Sequence, residues 1–298
     1  DRYASAVQMS TTAVLFIVGP ISGLVGSVPM FKAAEAGIRS INELEEKLSQ
    51  YHRKNKEIVI DPDQLERPED RDKFINFKKI ELKDVVFKFE ANPIDDASPF
   101  GVGPINLTIN KNETLFITGG NGSGKSTLMR VLTALYPPAS GNILIDGKKL
   151  RPKDYQSYRE LFATVFSDFH LSRYLDGVRI FDDELAESLI EKLELPEKVY
   201  IADNAFSDID LSTGQRKRIA LLAAILEKKK VLILDEWAAD QDPLFRRKFY
   251  REILPMLKNM GITIIAITHD SRFFDASDNQ LHMEEGQAVN FDPDAFHD

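Results

Sequence analysis

The chain has 298 residues, enough for one large domain with extra elements or for two modest domains. Its apolar and charged fractions are ordinary for a globular protein, and its net charge of −9 argues against a broad basic surface for nucleic acid. The lack of cysteine excludes disulfide bonds, thiolate metal ligands and a cysteine nucleophile. Because the first residue is aspartate and not methionine, we expect a fragment or a processed form.

The chain opens with an uncharged stretch over residues 3–31. As a helix it would be about 40 Å long, more than the hydrocarbon core of a bilayer. Its glycines and hydroxylated residues suit a membrane helix that packs on others or lines a wet cavity. A signal peptide would need a shorter apolar core and a basic start, and a buried core helix seldom runs so far without charge. The stretch therefore predicts one transmembrane helix.

Residues 32–50 keep helical spacing but turn polar, with apolar positions on one face. This pattern predicts a cytosolic extension of the membrane helix, so that residues 1–57 form the last transmembrane helix and its extension. Residues 58–79 are rich in charge and contain proline, which is typical of a linker. Residues 80–298 would form the second domain.

Alternating or continuous apolar runs predict the strands of an α/β domain. A continuous run indicates a strand buried on both faces, and the order strand, helix, strand near the C-terminus is typical of a doubly wound sheet. We expect an antiparallel β-patch beside a parallel core. The predicted strands cover residues 80–89, 105–109, 114–118, 142–147, 231–234 and 262–267, with a helix over 126–135 and another over 245–258.

A glycine-rich segment joins the strand at 114–118 to the helix that follows it, and it fits the pattern G-x-x-x-x-G-K-[ST]. Its backbone N–H groups and the helix dipole would face phosphate oxygens. Lys125 would reach the β- and γ-phosphates, and the Ser126 hydroxyl would ligate Mg²⁺. A chance glycine turn is the alternative, but strand, loop and helix in register favour a nucleoside triphosphate site. Its residues are Gly119, Gly120, Asn121, Gly122, Ser123, Gly124, Lys125, Ser126 and Thr127.

Two further motifs lie at the ends of apolar strands and at the start of a helix. The run at 231–234 ends in Asp235-Glu236, and the run at 262–267 is followed by His269. Open α/β sheets bind ligands at the carboxyl ends of their strands. Between the phosphate loop and Asp235, a helix opens with Leu211, Ser212, Thr213, Gly214 and Gln215. Such a Ser-x-Gly segment is a weak signal when taken alone.

With these motifs in this order, the chain resembles the ATP-binding-cassette family over about residues 80–287. Residues 211–215 look like the family signature, with Thr213 where glycine is more usual. The resemblance implies a P-loop nucleoside triphosphatase fold of the α/β class. Such a cassette has a mixed central sheet flanked by helices, an antiparallel β subdomain and a helical subdomain.

The resemblance also implies roles for single residues, with ATP and Mg²⁺ as the ligands. Phe89 would stack on adenine, unless it is an ordinary aromatic of a strand. Asp235 would hold the Mg²⁺ shell through water. Glu236 would polarise or deprotonate the attacking water. His269 would contact the γ-phosphate and hold the site in register, although a lone histidine is more often structural.

A homodimer is implied as well, because two cassettes of this family close head to tail around ATP. The signature of one copy, formed by Ser212, Thr213, Gly214 and Gln215, would cap the γ-phosphate held by Lys125 of the other. Asp242 resembles the aspartate of the D-loop, which crosses that interface. Binding and hydrolysis of ATP would then drive attached membrane helices between two access states.

Three departures from the family pattern are present. Ser167 stands where glutamine is usual, which puts Mg²⁺ coordination and coupling through that position in doubt, although Asp168 could compensate for the missing glutamine. Trp237 stands where proline is common, and residues 239–242 read Ala-Asp-Gln-Asp in place of Ser-Ala-Leu-Asp.

The Phe-Ser-Asp-Phe-His-Leu, Leu-Ser-Thr-Gly-Gln and Asp-Glu-Trp-Ala-Ala-Asp-Gln-Asp-Pro runs are similar to those of bacterial exporters of cyclic peptides and siderophore precursors, of the pyoverdine and syringomycin types. The resemblance implies the C-terminal part of a half-transporter in the bacterial inner membrane, with its cassette on the cytoplasmic side. Upstream transmembrane helices of the same protein, the membrane and a peptide-like substrate would be its partners.

A soluble cassette ATPase of repair, chromosome maintenance or translation is the main alternative. Repair and chromosome proteins carry a long coiled coil between phosphate loop and signature, and the 87 residues from Lys125 to Ser212 are too few for one. A translation-associated protein would carry two cassettes. A phosphotransferase would need an acceptor site in place of the signature helix.

Overall fold

The computed structural model describes residues 2–54, 72–89, 100–178 and 181–289. The chain divides into two compact units, residues 1–60 and 61–298. The linker predicted for residues 58–79 lies mostly outside the described residues.

In the first unit, the described residues form one helix, α1, Arg2–Lys54. With 53 residues it is about 80 Å long. The hydroxyls of Thr11 and Thr12 donate to carbonyls one turn earlier, and Arg39 pairs with Glu35 at 2.9 Å. The helical spacing expected for residues 3–50 is therefore confirmed, and it forms one uninterrupted helix.

The structure corrects the predicted transmembrane helix over residues 3–31. Within the described part of the chain, no helix combines the length and the apolar content that a bilayer crossing requires. The prediction was based on length and absence of charge, but glycine, proline, serine and threonine recur between the large apolar side chains of this stretch.

The second unit contains the strands. They are β1 Lys79–Lys88, β2 Gly101–Asn110, β3 Thr114–Thr118, β4 Ser140–Ile145, β5 Lys148–Lys149, β6 Phe162–Val165, β7 Ile201–Ala202, β8 Ala205–Phe206, β9 Val231–Asp235, β10 Thr263–Ile267, β11 Asn279–Glu284 and β12 Gln287–Val289. Each strand predicted from an apolar or alternating run is present, but β2 begins at Gly101, four residues earlier than expected.

Three sheets arise from these strands. The largest has the order β12-β11-β3-β10-β9-β6, in which β11, β3, β10, β9 and β6 are parallel and β12 is antiparallel to β11. A second, antiparallel sheet has the order β2-β1-β4-β5. β7 and β8 form a small hairpin. The parallel core beside an antiparallel patch, expected from the sequence, is confirmed.

The helices of the second unit are α2 Lys125–Leu132, α3 Tyr155–Arg159, α4 Asp183–Lys192, α5 Thr213–Leu226, α6 Pro243–Lys248 and α7 Leu254–Asn259. The helix expected over 126–135 ends at Leu132, and Leu135 beyond it is half-exposed. The helix expected over 245–258 is present as a continuous helical segment, in which a π-helical turn, Phe249–Ile253, joins α6 to α7. Pro255 in the first turn of α7 lacks the N–H that an α-helical bond to the preceding turn needs.

The six-stranded sheet separates two apolar cores. All residues of β3, β9 and β10 are buried, as continuous apolar runs require. One core lies between the sheet and α4, α5, α6 and α7, and the other packs β1, β2 and α2 against the opposite face. The sheet is therefore rigidly held on both sides, and its strand ends are fixed in position.

Candidate nucleotide site

Three sequence motifs converge at the carboxyl edge of the six-stranded sheet. β10 lies between β3 and β9, and its last residue Ile267 is in register with Ile117 of β3 and Asp235 of β9. The segments that follow these strands therefore leave the sheet side by side. They carry the glycine-rich loop, Glu236 and His269, as the sequence predicts for a ligand site at a sheet edge.

The loop between β3 and α2 depends on glycine at two positions. Gly119 has φ +131°, and a Cβ there would run into the carbonyl oxygen of Met283. Gly124 has φ +99°, and its Cβ would lie 2.8 Å from Cγ2 of Val102. Both residues occupy backbone conformations that L side chains avoid. The loop therefore wraps tightly around the start of α2, which is the geometry that presents backbone N–H groups to an anion.

Lys125 is the first residue of α2, and its side chain is folded over the loop. Its ammonium donates to the carbonyls of Gly119 and Gly120, both at 2.8 Å, and the residue is only 5% exposed. Burial lowers the pKa of Lys125, while the carboxylates of Glu236 and Asp235 act in the opposite direction. The ammonium is thus held by neutral carbonyls at the loop, where phosphate oxygens would be stronger acceptors.

Asp235 ends β9 next to Ser126. Its Oδ2 accepts hydrogen bonds from the Ser126 hydroxyl at 3.1 Å and from the Ser167 hydroxyl at 3.5 Å. Its Oδ1 is buried and has no hydrogen-bond partner within the described residues. Burial raises the pKa of Asp235, and Glu236 raises it further, while the hydrogen bond from Ser126 lowers it.

The oxygens of Asp235, Ser126 and Ser167 fit a Mg²⁺ ion. Mg²⁺ prefers oxygen ligands, keeps several waters and needs only one or two carboxylates when phosphates complete its shell. The unpartnered Oδ1 supplies the negative oxygen that such a shell needs. Within the described part of the chain, no group of three or more Asp, Glu or His side chains could hold a metal ion. Phosphate and water would therefore provide the other ligands.

Glu236 and His269 form a pair beside the loop. Nε2 of His269 lies 3.1 Å from Oε1 of Glu236, and both side chains are partly exposed. Glu236 has φ +50° and ψ +32°, a left-handed conformation that is uncommon for a residue with a side chain. Its N–H donates to the Ile267 carbonyl at 3.1 Å. A carboxylate held beside an imidazole at this position is suited to accept a proton from water.

A cleft of about 860 Å³ opens beside the loop. The loop residues 119–123 line it together with Thr118 and His269 and with the turn between β11 and β12, in a volume typical of small-molecule sites. His269 thus faces the same space as the loop.

Phe89 lies at the end of β1 in an aromatic cluster. Its ring is 5.0 Å from Phe87, 6.1 Å from Tyr136 and 6.4 Å from Phe100, centroid to centroid, and the residue is 39% exposed. A Cβ on Gly124 would lie 3.3 Å from the Phe100 ring, so the cluster borders the loop. An exposed ring at this place could stack on a base. The adenine-binding role stays a prediction.

The predicted signature forms the N-terminus of α5. Ser212 and Gln215 make a capping box, in which Ser212 Oγ accepts from the Gln215 N–H at 3.4 Å and Gln215 Oε1 accepts from the Ser212 N–H at 3.3 Å. Ser212 and Thr213 are exposed, and neither they nor Gly214 lines the cleft. A single chain therefore does not bring its own signature to its own phosphate loop.

Three polar residues that the sequence did not single out connect α5 to the segment after β9. Arg218 donates to Gln241 Oε1 at 2.9 Å and to Asp242 Oδ2 at 3.0 Å, and its guanidinium lies 3.4 Å from the Phe245 ring centroid. Gln241 donates to the Gly214 carbonyl at 3.1 Å. The third is Lys217, a buried cation. Charged residues among apolar neighbours in α5 were the available signal.

The glycine-rich loop between a buried strand and a helix, with Asp-Glu at the end of a nearby strand, defines a P-loop nucleoside triphosphatase. Comparison with known proteins narrows this class. Residues 102–239 match the family model described as ABC transporter.

Relatives match over longer stretches. The chain is 37% identical over 295 residues to the ATP-binding protein SyrD of Pseudomonas syringae pv. syringae, which covers 96% of this chain and 50% of SyrD. It is 34% identical over 199 residues to the energy-coupling factor transporter ATP-binding protein EcfA3 of Clostridium perfringens, covering 62% of this chain and 69% of EcfA3. The chain spans about half the length of SyrD. It belongs to the ABC transporter family, and it is an ATP-binding, ATP-hydrolysing domain of that family.

Solved structures share the fold. The post-hydrolysis dimer of the ATP-binding cassette MJ0796 bound to ADP and Pi superposes with a TM-score of 0.59 at 23% identity, covering 71% of this chain and 97% of that one. A bacterial Atm1-family ABC exporter with ATP bound has a TM-score of 0.59 at 22% identity, covering 72% and 39%. The α/β cassette fold expected from the sequence is confirmed.

Proposed function

We propose that this chain is the ATP-hydrolysing part of a bacterial exporter, that it works as a homodimer on the cytoplasmic face of the inner membrane, and that the exporter moves a cyclic peptide, a siderophore precursor or a related compound. One observation carries the hydrolytic part of this proposal: His269 lines the same cleft as the phosphate loop, and its Nε2 lies 3.1 Å from Oε1 of Glu236.

In this proposal each residue of the site has one task. Lys125 exchanges its two loop carbonyls for phosphate oxygens, because an anion is a stronger acceptor than a neutral carbonyl. Glu236 takes the proton from the attacking water, and His269 contacts the γ-phosphate and keeps the carboxylate oriented. Ser126 and Asp235 would hold Mg²⁺, which neutralises charge on the phosphates.

The homodimer follows from the position of the signature. Ser212 and Thr213 are exposed at a capped helix N-terminus, where donors and the helix dipole favour an anion, yet they do not line the cleft of their own chain. A second copy would bring its phosphate loop to them. Dimers of the related cassette MJ0796 support this arrangement, since their fold is shared with this chain.

The share of this chain that each relative matches favours export over import. The match to SyrD leaves out only 4% of this chain, so most of the residues before β1 lie inside it. The match to the spermidine/putrescine import ATP-binding protein PotA of Clostridium novyi covers 70% of the chain, and about that fraction is the cassette alone. The motif resemblance to syringomycin-type exporters points the same way. Further segments of the same protein would supply the membrane pathway.

The variant Glu236→Gln of the full chain tests the hydrolytic proposal. We expect ATP binding to persist and hydrolysis to stop, because the amide cannot accept the proton of water. In saturating ATP this variant should sediment as a dimer. Glu187→Gln, a change on an exposed position of α4, is the control and should behave as the wild type.

Two results would contradict the proposal separately. Turnover of Glu236→Gln at the wild-type rate would remove Glu236 as the base. Sedimentation of that variant as monomers only, at saturating ATP, would remove the homodimer.

A further inference from the structure

Lys217 is a buried cation that the proposed chemistry does not use. It lies in the second turn of α5, is 2% exposed, and faces the segment that follows β9. Its ammonium donates to the Glu236 carbonyl at 3.1 Å and pairs with Asp240 Oδ2 at 2.7 Å. A buried lysine is costly unless its charge is compensated, so these contacts are a built feature of the fold.

The Glu236 backbone needs such support. A left-handed conformation at a residue with a side chain persists only when its surroundings enforce it. The N–H of Glu236 donates to the Ile267 carbonyl, and its own carbonyl accepts from the Lys217 ammonium and from the Ala239 N–H at 3.2 Å. Without the ammonium, the carbonyl would keep only the bond from Ala239, which closes a local turn and does not tie the residue to α5.

Two residues that depart from the family pattern, Asp240 and Trp237, contact Lys217. Asp240, where alanine is usual, supplies the counter-charge for the ammonium. Trp237, where proline is common, donates its indole N–H to the Lys217 carbonyl at 2.8 Å, and its ring packs on Phe249 at 4.4 Å between centroids. Trp237 and Asp240 thus fix both ends of Lys217, its backbone and its side chain.

We propose that Lys217 is a positioning residue for hydrolysis, because its ammonium fixes the Glu236 backbone and thereby the direction of the Glu236 carboxylate. This inference deepens the role proposed above for Glu236 and rests on it. Since the same helix begins with the signature, Lys217 also ties the proposed base to the segment that would contact the ATP of a second copy.

Lys217→Met is the most informative variant. It keeps the length of the side chain and removes the charge and the donor. The Asp240 side chain is 46% exposed, so its carboxylate can be solvated by water once the lysine is gone. Asp240→Ala would instead leave a buried ammonium without its counter-charge, which destabilises a fold strongly. Lys217→Gln is a second, polar variant in case the methionine variant is insoluble.

We expect Lys217→Met to lower kcat for ATP hydrolysis of the full chain by about tenfold to a hundredfold, as misplacement of a reacting group by about 1 Å does. KM and the affinity for a fluorescent ATP analogue should stay within about twofold of the wild type. Lys229→Met is the matched control, because Lys229 forms an equally short ion pair, 2.6 Å from Glu160, away from the site. It should leave kcat unchanged.

A thermodynamic cycle separates positioning from a general structural role. If Lys217 acts through Glu236, then Lys217→Met introduced into Glu236→Gln should change the residual rate by less than about twofold. An equal loss in both backgrounds, a loss of ATP affinity, or a kcat within about twofold of the wild type would each overturn the inference. If Lys217→Met hydrolyses ATP at the wild-type rate while Glu236→Gln is inactive, only the role of Lys217 is contradicted. A fully active Glu236→Gln would remove the proposed base and this inference together.

Discussion

Nε2 of His269 lies 3.1 Å from Oε1 of Glu236, although the two residues are 33 positions apart in the chain. The contact exists because β10 and β9 are adjacent parallel strands whose ends are in register. Each side chain follows the last residues of its own strand, so the pair is fixed by the sheet and not by a flexible loop. This is the arrangement from which the proposed hydrolysis starts.

Replacing His269 should slow hydrolysis without removing the carboxylate. In His269→Ala, Glu236 loses its partner and the γ-phosphate loses a contact, so we expect kcat to fall by about tenfold to a hundredfold, the effect of one hydrogen bond to a charged group. His269→Gln keeps a side-chain donor and should recover part of the rate. Steady-state kinetics of the full chain would measure both. A wild-type kcat in His269→Ala would exclude the predicted role.

Lys125 of the phosphate loop should contribute to the affinity for ATP. In Lys125→Ala we expect the dissociation constant for ATP to rise by at least about tenfold, because a charge-assisted hydrogen bond to phosphate is lost. Lys111→Ala, at an exposed position before β3, is the control for loss of one positive charge. Calorimetric titration with ATP reports both constants. Equal affinities of the two variants would mean that the loop binds phosphate without Lys125.

Asp235→Asn should raise the Mg²⁺ concentration that hydrolysis requires, and it should stabilise the metal-free protein. The pKa of Asp235 is raised by burial above its ordinary value of 3.8, so ionisation costs folding free energy as the pH rises above that value. The neutral amide removes this cost, so at neutral pH the Tm of the variant should rise, by about 2–4 °C for each kcal/mol gained. Thermal melts without Mg²⁺ test this, and a lower Tm in Asp235→Asn would contradict it.

In the same variant the Mg²⁺ concentration needed for half-maximal hydrolysis should rise by about tenfold or more, because the unpartnered Oδ1 is the anionic ligand. An unchanged Mg²⁺ requirement would show that Asp235 does not serve the ion.

The pH dependence of stability should include a contribution from Asp154. This buried carboxylate accepts from Lys73 at 2.6 Å and from Arg151 at 3.1 Å. Burial alone would raise the pKa of Asp154, but the hydrogen bonds from Lys73 and Arg151 outweigh it and lower the pKa below 3.8. Its stabilisation is therefore fully present above pH 3.8 and is lost as the pH falls through the lowered pKa of the folded state.

We expect Asp154→Asn to lower the free energy of unfolding by about 1–3 kcal/mol at neutral pH and to flatten its fall in acid. Urea unfolding of the full chain at pH 7 and at about pH 3 measures both quantities. Asp183→Asn, an exposed change in α4, is the control. An identical acid dependence in wild type and Asp154→Asn would contradict this assignment.

The sequence by itself determined the strands, the phosphate loop and the class of chemistry. Continuous apolar runs can only be satisfied in a sheet buried on both faces, and β3, β9 and β10 are such strands. The phosphate loop is contiguous, and its glycines are required by local backbone geometry, as Gly119 and Gly124 show. Features that depend only on residues close together in the sequence could therefore be predicted without a structure.

Contacts between residues far apart in the chain were established only by the tertiary structure. Pairing of β9 with β10 brings His269 to Glu236, and packing of α5 against the segment after β9 gives Lys217 its two acceptors. Within the residues that the structure describes, no helix has the length and apolar content expected for a membrane span, and the helix expected at 245–258 contains a π-helical turn. Periodicity records which face of an element is apolar, but distance, burial and backbone strain depend on the elements that pack against it.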